Sequence, residues 1–245
     1  QHMNACAPDY ADGHNITSPD RSFGKMPLLF QTLFKMARAV KPSAVIEFCP
    51  CGDRTNLYHM PYTNQFVASD PVNSWQVRLK GKVYKALMPG TPYFGDHVEF
   101  TDGKIDFPSQ LGVGAVPGTK FTWPATGIVN VDENPLTPEK EILFKKYLDI
   151  YRDKMLSKGL YRVGLYDIGY DFPETRCIQK EGTFYYAFYN SQFKGSVELR
   201  GLQHGKIYSV FDYVNKKLLG TVTGGSNRLS VDFVSSLLIE VQSDL

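Results

Sequence analysis

The hydrophobic pattern changes period once along the chain, near Gly159, and that change limits the possible architectures more than any single motif. Before it, helical stripes alternate with short apolar runs. Leu29, Leu33, Phe34, Met36, Ala37 and Val40 form such a stripe over Met26–Val40, the spacing of a helix with one buried face. Pro27 suits its first turn, and Lys41-Pro42 ends it. A short buried strand is predicted over 44–48, and another over 65–68 ending at Ser69-Asp70-Pro71. A helix over 74–87 and a strand over 92–98 carrying Gly95-Asp96-His97 follow. Thr137, as N-cap, and Pro138 open an amphipathic helix to about Lys154. Strands alternating with helices, with polar loops at the strands' carboxyl ends, predict a parallel α/β fold.

After Gly159 the period shortens to two. Alternating runs over 184–189, 195–199, 208–213, 218–222, 229–231 and 237–241 are separated by turn residues such as Val214-Asn215-Lys216 and Gly224-Gly225, which predicts an antiparallel β-sandwich. Phe184, Tyr186, Phe188, Val197, Leu199, Val210, Leu238 and Ile239 are its expected core. The chain is thus divided into residues 1–158 and 159–245.

Charge narrows the class of function. With 27 Lys+Arg against 25 Asp+Glu the net charge is only +2, which argues against a surface built to hold a nucleic-acid backbone. No apolar run reaches the ~18 residues of a membrane-spanning helix. Cys6, Cys49, Cys51 and Cys177 are too few for a disulfide scaffold, and a Cys49–Cys51 bridge across one residue would be strained. His59 and His97 have no partner at metal-ligand spacing, so no metal is expected. The glycines between Gly112 and Gly118 do not complete a phosphate loop, and no cofactor is implied. Asn15-Ile16-Thr17 is a formal glycosylation sequon.

Candidate functional residues sit where strands end, since β/α barrels keep their chemistry there. Asp70 ends an apolar strand and precedes a helix bearing Trp75 and Arg78. It could be a proton donor held against an aromatic wall, or a cap for that helix or for a turn before Pro71. Asp96 could bind hydroxyls or pair with a neighbouring base. Trp75 and Trp123 could stack on a sugar face or fill a core. Cys49 and Cys51 read as small buried residues or as pocket lining, and their spacing suggests no Cys/His nucleophile.

Several segments carry a family resemblance: Glu47-Phe48-Cys49-Pro50-Cys51-Gly52, Ala68-Ser69-Asp70-Pro71, Ser74-Trp75-Gln76-Val77-Arg78, Tyr93-Phe94-Gly95-Asp96-His97-Val98-Glu99, Pro117-Gly118-Thr119-Lys120-Phe121-Thr122-Trp123-Pro124 and Leu165-Tyr166-Asp167-Ile168-Gly169. In this order they resemble the second half of a melibiase-type α-galactosidase, glycoside hydrolase family 36 of clan D. The resemblance implies the C-terminal half of a (β/α)8 barrel followed by an antiparallel β domain. It also implies a retaining mechanism with two carboxylates about 5–5.5 Å apart. Asp70 matches the general acid/base, and Arg78 matches the arginine after it. Cys49 and Cys51 match the loop lining the galactose pocket, and Asp96 a polar strand-end position. Trp75 joins them as a candidate sugar contact.

The family's nucleophile lies in a pattern resembling Lys-x-Asp-Gly-Gln-His, whereas this sequence opens at Gln1-His2. The expectation is therefore the C-terminal part of an enzyme acting on terminal α-linked galactosides, with the rest of that enzyme as partner and the nucleophile outside the chain. A non-catalytic carbohydrate-binding or structural piece, or a related α-N-acetylgalactosaminidase, is the alternative.

Overall fold

The computed structural model describes residues 10–13, 15–47, 49, 57–98, 101–120, 135–166 and 171–243. Cys51, Glu99, Trp123 and Asp167-Ile168-Gly169, all used in the sequence reading, lie outside the described residues.

Three short strands, β1 (Phe66–Val67), β2 (Tyr93–Phe94) and β3 (Ala115–Val116), pair in parallel in the order β1-β2-β3. Phe66, Val67, Tyr93 and Ala115 are all buried, as expected for parallel strands covered on both faces. Helix α2 (Ser74–Leu87) connects β1 to β2, and α3 (Phe107–Gly112) connects β2 to β3. The spatial order follows the chain order without reversal, as it does around a β/α barrel. The predicted strand at 44–48 contributes one parallel bridge, Glu47 to Gln65. Its backbone is tied largely through side chains instead: Asn64 Oδ1 accepts from the Ile46 amide at 2.7 Å, and Thr63 Oγ1 donates to Ile46 O at 2.8 Å. The strand predicted over 92–98 pairs only at Tyr93–Phe94, because Asp96 takes a left-handed φ of 61° and turns the chain out of the ladder.

Helix α1 (Met26–Val40) and helix α4 (Pro138–Lys154) occupy their expected positions. Thr137 caps α4 by accepting from the Lys140 amide at 3.3 Å.

Beyond α4 lies one antiparallel sheet of six strands, in the order β4-β5-β6-β9-β7-β8. These strands are β4 (Leu160–Tyr161), β5 (Glu174–Lys180), β6 (Thr183–Glu198), β7 (Ile207–Asp212), β8 (Lys217–Thr223) and β9 (Arg228–Ser243). Two pairs of predicted strands are single long ones: 184–189 with 195–199 makes β6, and 229–231 with 237–241 makes β9. A bulge between Asn190 and Gln192 lets the β6–β9 ladder bend without breaking.

The bend folds the sheet over itself. Tyr186, near the start of β6, donates through its hydroxyl to Arg200 O, just past the end of the same strand, at 2.7 Å. A straight strand would hold those residues ~45 Å apart at about 3.3 Å per residue. The expected two-layered core thus arises within one continuous ladder rather than from two separate sheets. Phe184, Tyr186, Phe188, Val197, Leu199, Val210 and Ile239 share that core. Leu238 points the other way and packs with Phe107, Leu111 and Tyr147 of the helical layer. The sheet is therefore buried on both faces, one against itself and one against α3 and α4.

Leu199 is fully buried in the folded-over core. Leu199→Ala should destabilise the fold by about 2–5 kcal/mol in urea unfolding, whereas the exposed β9 substitution Val234→Ala should change it by less than about 0.5 kcal/mol.

Candidate active site

Strand β1 ends in a sharp turn. Ser69 and Asp70 both have left-handed backbones, with φ of 52° and 44°, conformations that side-chain-bearing residues adopt at a cost of ~1–3 kcal/mol each. The turn sends the chain into α2, whose N-cap is Asn73, its Oδ1 accepting from the Gln76 amide at 2.9 Å. Asp70 is not that cap, so the helix-cap alternative falls away, and Asp70 lies in the turn before Pro71. Its side chain is 47% exposed.

The end of β2 comes to the same place. The Asp70 amide donates to Asp96 Oδ2 at 2.8 Å. Asp96 Oδ1 lies 2.9 Å from His97 Nε2, and the same nitrogen is 3.7 Å from Asp70 Oδ1. His97, which sequence spacing left without a partner, thus belongs to the cluster. Cys49 joins through its Sγ, 3.7 Å from Ser69 Oγ. The structure brings Asp70, Asp96, His97 and Cys49 together, although they come from three segments of the chain.

Two glycines fix the β2 end. At Gly118 a Cβ would strike the backbone of Asp96, and at Gly95 it would strike the side-chain amide of Gln110. Gln110 is fully buried and bonds both sides of Gly118, donating to its oxygen at 2.8 Å and accepting from its amide at 2.6 Å. The loop after β3 is thereby locked against Asp96.

Sequence reasoning missed Lys80 and Glu47. Lys80 Nζ donates to Ser69 O at 2.7 Å. Burial pushes its ammonium pKa down, and electrostatic interaction, first with Asp70 and then with Asp96, opposes that shift. Side chains on a helix slant towards its N-terminus, so Lys80 reaches back along α2 to the strand end. That slant was a usable signal. Glu47, bonded by Gln65 Nε2 at 2.7 Å, has its carboxyl pKa raised by burial; the Gln65 bond opposes the rise and Asp96 adds to it. Asp70, Asp96 and His97 offer donor atoms within 4.8 Å of one another, a spread a cation could bridge, though Asp96 and His97 are already within hydrogen-bonding distance.

Arg78 and Trp75 are not part of this cluster. Arg78 Nε and Nη2 make a two-pronged ion pair with Glu174 at 2.8 and 2.9 Å, and Nη1 donates to Ser109 Oγ at 2.8 Å. Its guanidinium lies 4.5 Å from the centre of the Tyr189 ring. Arg78 joins α2 and α3 to the antiparallel sheet and lines a cleft of ≈ 630 Å³ there, together with Asp106, Tyr147, Glu174 and Asn190. Trp75 is 52% exposed at the start of α2.

No family model matches the sequence. The chain is similar to a Flavonifractor plautii protein named A type blood alpha-D-galactosamine galactosaminidase, with 31% identity over 239 residues. That match takes in 94% of this chain and 20% of the relative, so the chain spans about a fifth of the relative's length. Among solved structures it resembles α-galactosidase I from Mortierella vinacea, with 12% identity, a TM-score of 0.55 and coverage of 88% of this chain and 62% of that one. It also resembles an α-amylase from Geobacillus thermoleovorans, with 15% identity, a TM-score of 0.56 and coverage of 89% and 58%. At these identities the likeness concerns the fold alone, a mixed α/β architecture like that of those (β/α)8-barrel neighbours.

The Arg78 geometry predicts a structural penalty. Arg78→Met should cost about 1–3 kcal/mol in chemical unfolding, because it removes a two-pronged ion pair and leaves the partly buried Glu174 carboxylate with Arg176 as its remaining ion-pair partner among the described residues. An unchanged unfolding midpoint would return Arg78 to the list of candidate sugar contacts.

Proposed function

We propose that this chain is the C-terminal part of a retaining α-glycosidase that removes terminal α-linked galactose-type sugars, with Asp70 as its general acid/base. Residues 1–158 then contribute part of the catalytic barrel, and residues 159–245 form the antiparallel domain packed on its outer helices. The assignment to glycoside hydrolase family 36 rests on the sequence motifs, and the Flavonifractor plautii relative supports the broader class of sugar. The observation that carries the reading is geometric. Asp70 stands at the carboxyl end of a parallel strand, partly exposed, and is tied to the next strand end through Asp96.

The reaction needs a second carboxylate, which the reading places outside these residues. That carboxylate attacks the anomeric carbon as the bond to the leaving oxygen breaks, while protonated Asp70 gives its proton to that oxygen. The resulting Asp70 carboxylate then takes a proton from water. The water oxygen bonds to the anomeric carbon and displaces the enzyme carboxylate, leaving a free sugar and an alcohol. Cys49, and Cys51 by resemblance, flank the sugar pocket beside Asp70. Arg78 holds the barrel helices to the sheet from outside, while Trp75 is accessible at the rim of α2.

The name of the relative specifically favours a 2-amino sugar of the galactosamine type at the same site. Competition between α-galactosyl and α-galactosaminyl substrates distinguishes the two readings.

In the full-length polypeptide, Asp70→Asn should fold normally. It should lower kcat/KM for alkyl or oligosaccharide α-galactosides by about 10²–10⁴-fold, the span of general acid catalysis. Activated aryl glycosides, which need little protonation to depart, should lose far less. Equal losses on both substrate types would remove Asp70 from the acid/base role.

A further inference from the structure

The peptide unit between Ser69 and Asp70 is gripped at both ends. Its carbonyl oxygen accepts from Lys80 Nζ at 2.7 Å, and its N–H donates to Asp96 Oδ2 at 2.8 Å. The residues on either side of it are the two with left-handed backbones. Such conformations persist only where the surroundings over-determine them. Here the two bonds fix the plane of the peptide, since rotating it would break both.

We propose that Lys80 is a positioning residue for Asp70, acting with Asp96 as a clamp on the Ser69–Asp70 peptide; the proposal rests on Asp70 being the acid/base. Lys80 directs its bond to the main chain and not to the Asp70 carboxylate, which leaves the Asp70 side chain 47% exposed. Among the described residues the Asp70 carboxylate accepts no hydrogen bond, and His97 Nε2 approaches it only to 3.7 Å. The other grip is equally indirect, because Asp96 holds the Asp70 amide and leaves its side chain untouched. The acid's direction is therefore set by its own backbone, and the backbone by Lys80 and Asp96.

Lys80 suits the task by its location. It stands on α2, on the helix that the turn itself feeds, so the clamp closes a loop from Ser69 through Asn73 back to Ser69. Asp96 closes the other side from the end of β2, where Gly118 packs tightly on its backbone. A neutral side chain of similar length at position 80 would fill the space but free the carbonyl. The turn could then relax, and a displacement of about 1 Å at a reacting group can cost about 10²-fold in rate.

The test compares Lys80→Met with Asp70→Asn in the full-length polypeptide, using one alkyl and one 2,4-dinitrophenyl α-galactoside. Lys80→Met should lower kcat/KM on the alkyl substrate about 10–100-fold and on the activated substrate less than about 3-fold, with its melting temperature held within a few degrees. Lys80→Arg, which can still donate to Ser69 O, should recover a substantial part of the loss on the alkyl substrate. An equal loss on both substrates, no loss, or no recovery by arginine would overturn the clamp. Should Lys80→Met fail to fold, Lys80→Gln replaces it; failure of both would make Lys80 a folding residue and overturn the proposal as well. If Asp70→Asn itself shows no dependence on the leaving group, the acid/base assignment falls and the clamp with it. A leaving-group dependence for Asp70→Asn without one for Lys80 overturns the clamp alone.

Discussion

The hydrogen bond from the Asp70 amide to Asp96 Oδ2 joins the ends of two neighbouring strands, and the geometry of the site follows from it. Parallel pairing of β1 with β2 sets Phe66 opposite Tyr93 and Val67 opposite Phe94, so both strands finish at the same level. Beyond that level the backbone turns left-handed at Ser69, Asp70 and Asp96. Without the bond across the gap, each turn would carry its strain with less to hold it. With it, two loops from different parts of the chain become one rigid rim, which Lys80 braces from the helix behind.

The rest of the chain supports that rim at a distance. The antiparallel sheet lays one face on α3 and α4, with Tyr185, Ala187, Tyr189 and Leu238 among its contacts. Its other face folds over and buries itself. Arg78 carries the junction between α2 and the sheet through its paired bonds to Glu174 and its contact with the Tyr189 ring. Such a pair derives its value from being desolvated and fully bonded, and losing one partner is costlier than the pair's net stabilisation. The sheet therefore acts as a buttress for the helix that holds Lys80 in place.

Periodicity made the architecture legible. The helical stripes of α1 and α4 and the alternation along β6 and β9 depend on local sequence, and each element formed where its pattern lay. The continuity of β6 and β9 was not legible, because a bulge and a bend interrupt the alternation of buried residues without ending the strand. At the site, Asp70 and Asp96 could be selected because strand ends are recognisable from their polar punctuation. Lys80 and His97 were not singled out, because the bond from Lys80 to Ser69 O and the approach of His97 to both Asp96 and Asp70 depend on how the left-handed strand-end turns are folded. Arg78 illustrates the opposite difficulty. Its place shortly after Asp70 suggested a shared pocket, but on α2 its guanidinium is directed to Ser109 and Glu174, whereas Lys80 reaches the strand end.

The direct test of the central claim is the stereochemistry of chemical rescue. When a retaining glycosidase loses its acid/base, added azide can take the place of water against the glycosyl-enzyme and give a glycosyl azide with the substrate's anomeric configuration. For Asp70→Gly of the full-length polypeptide with an activated aryl α-galactoside, the account predicts that azide restores turnover and that the product is the α-galactosyl azide by proton NMR. A β-galactosyl azide would identify Asp70 as the nucleophile, and turnover unaffected by azide would contradict its role as acid/base.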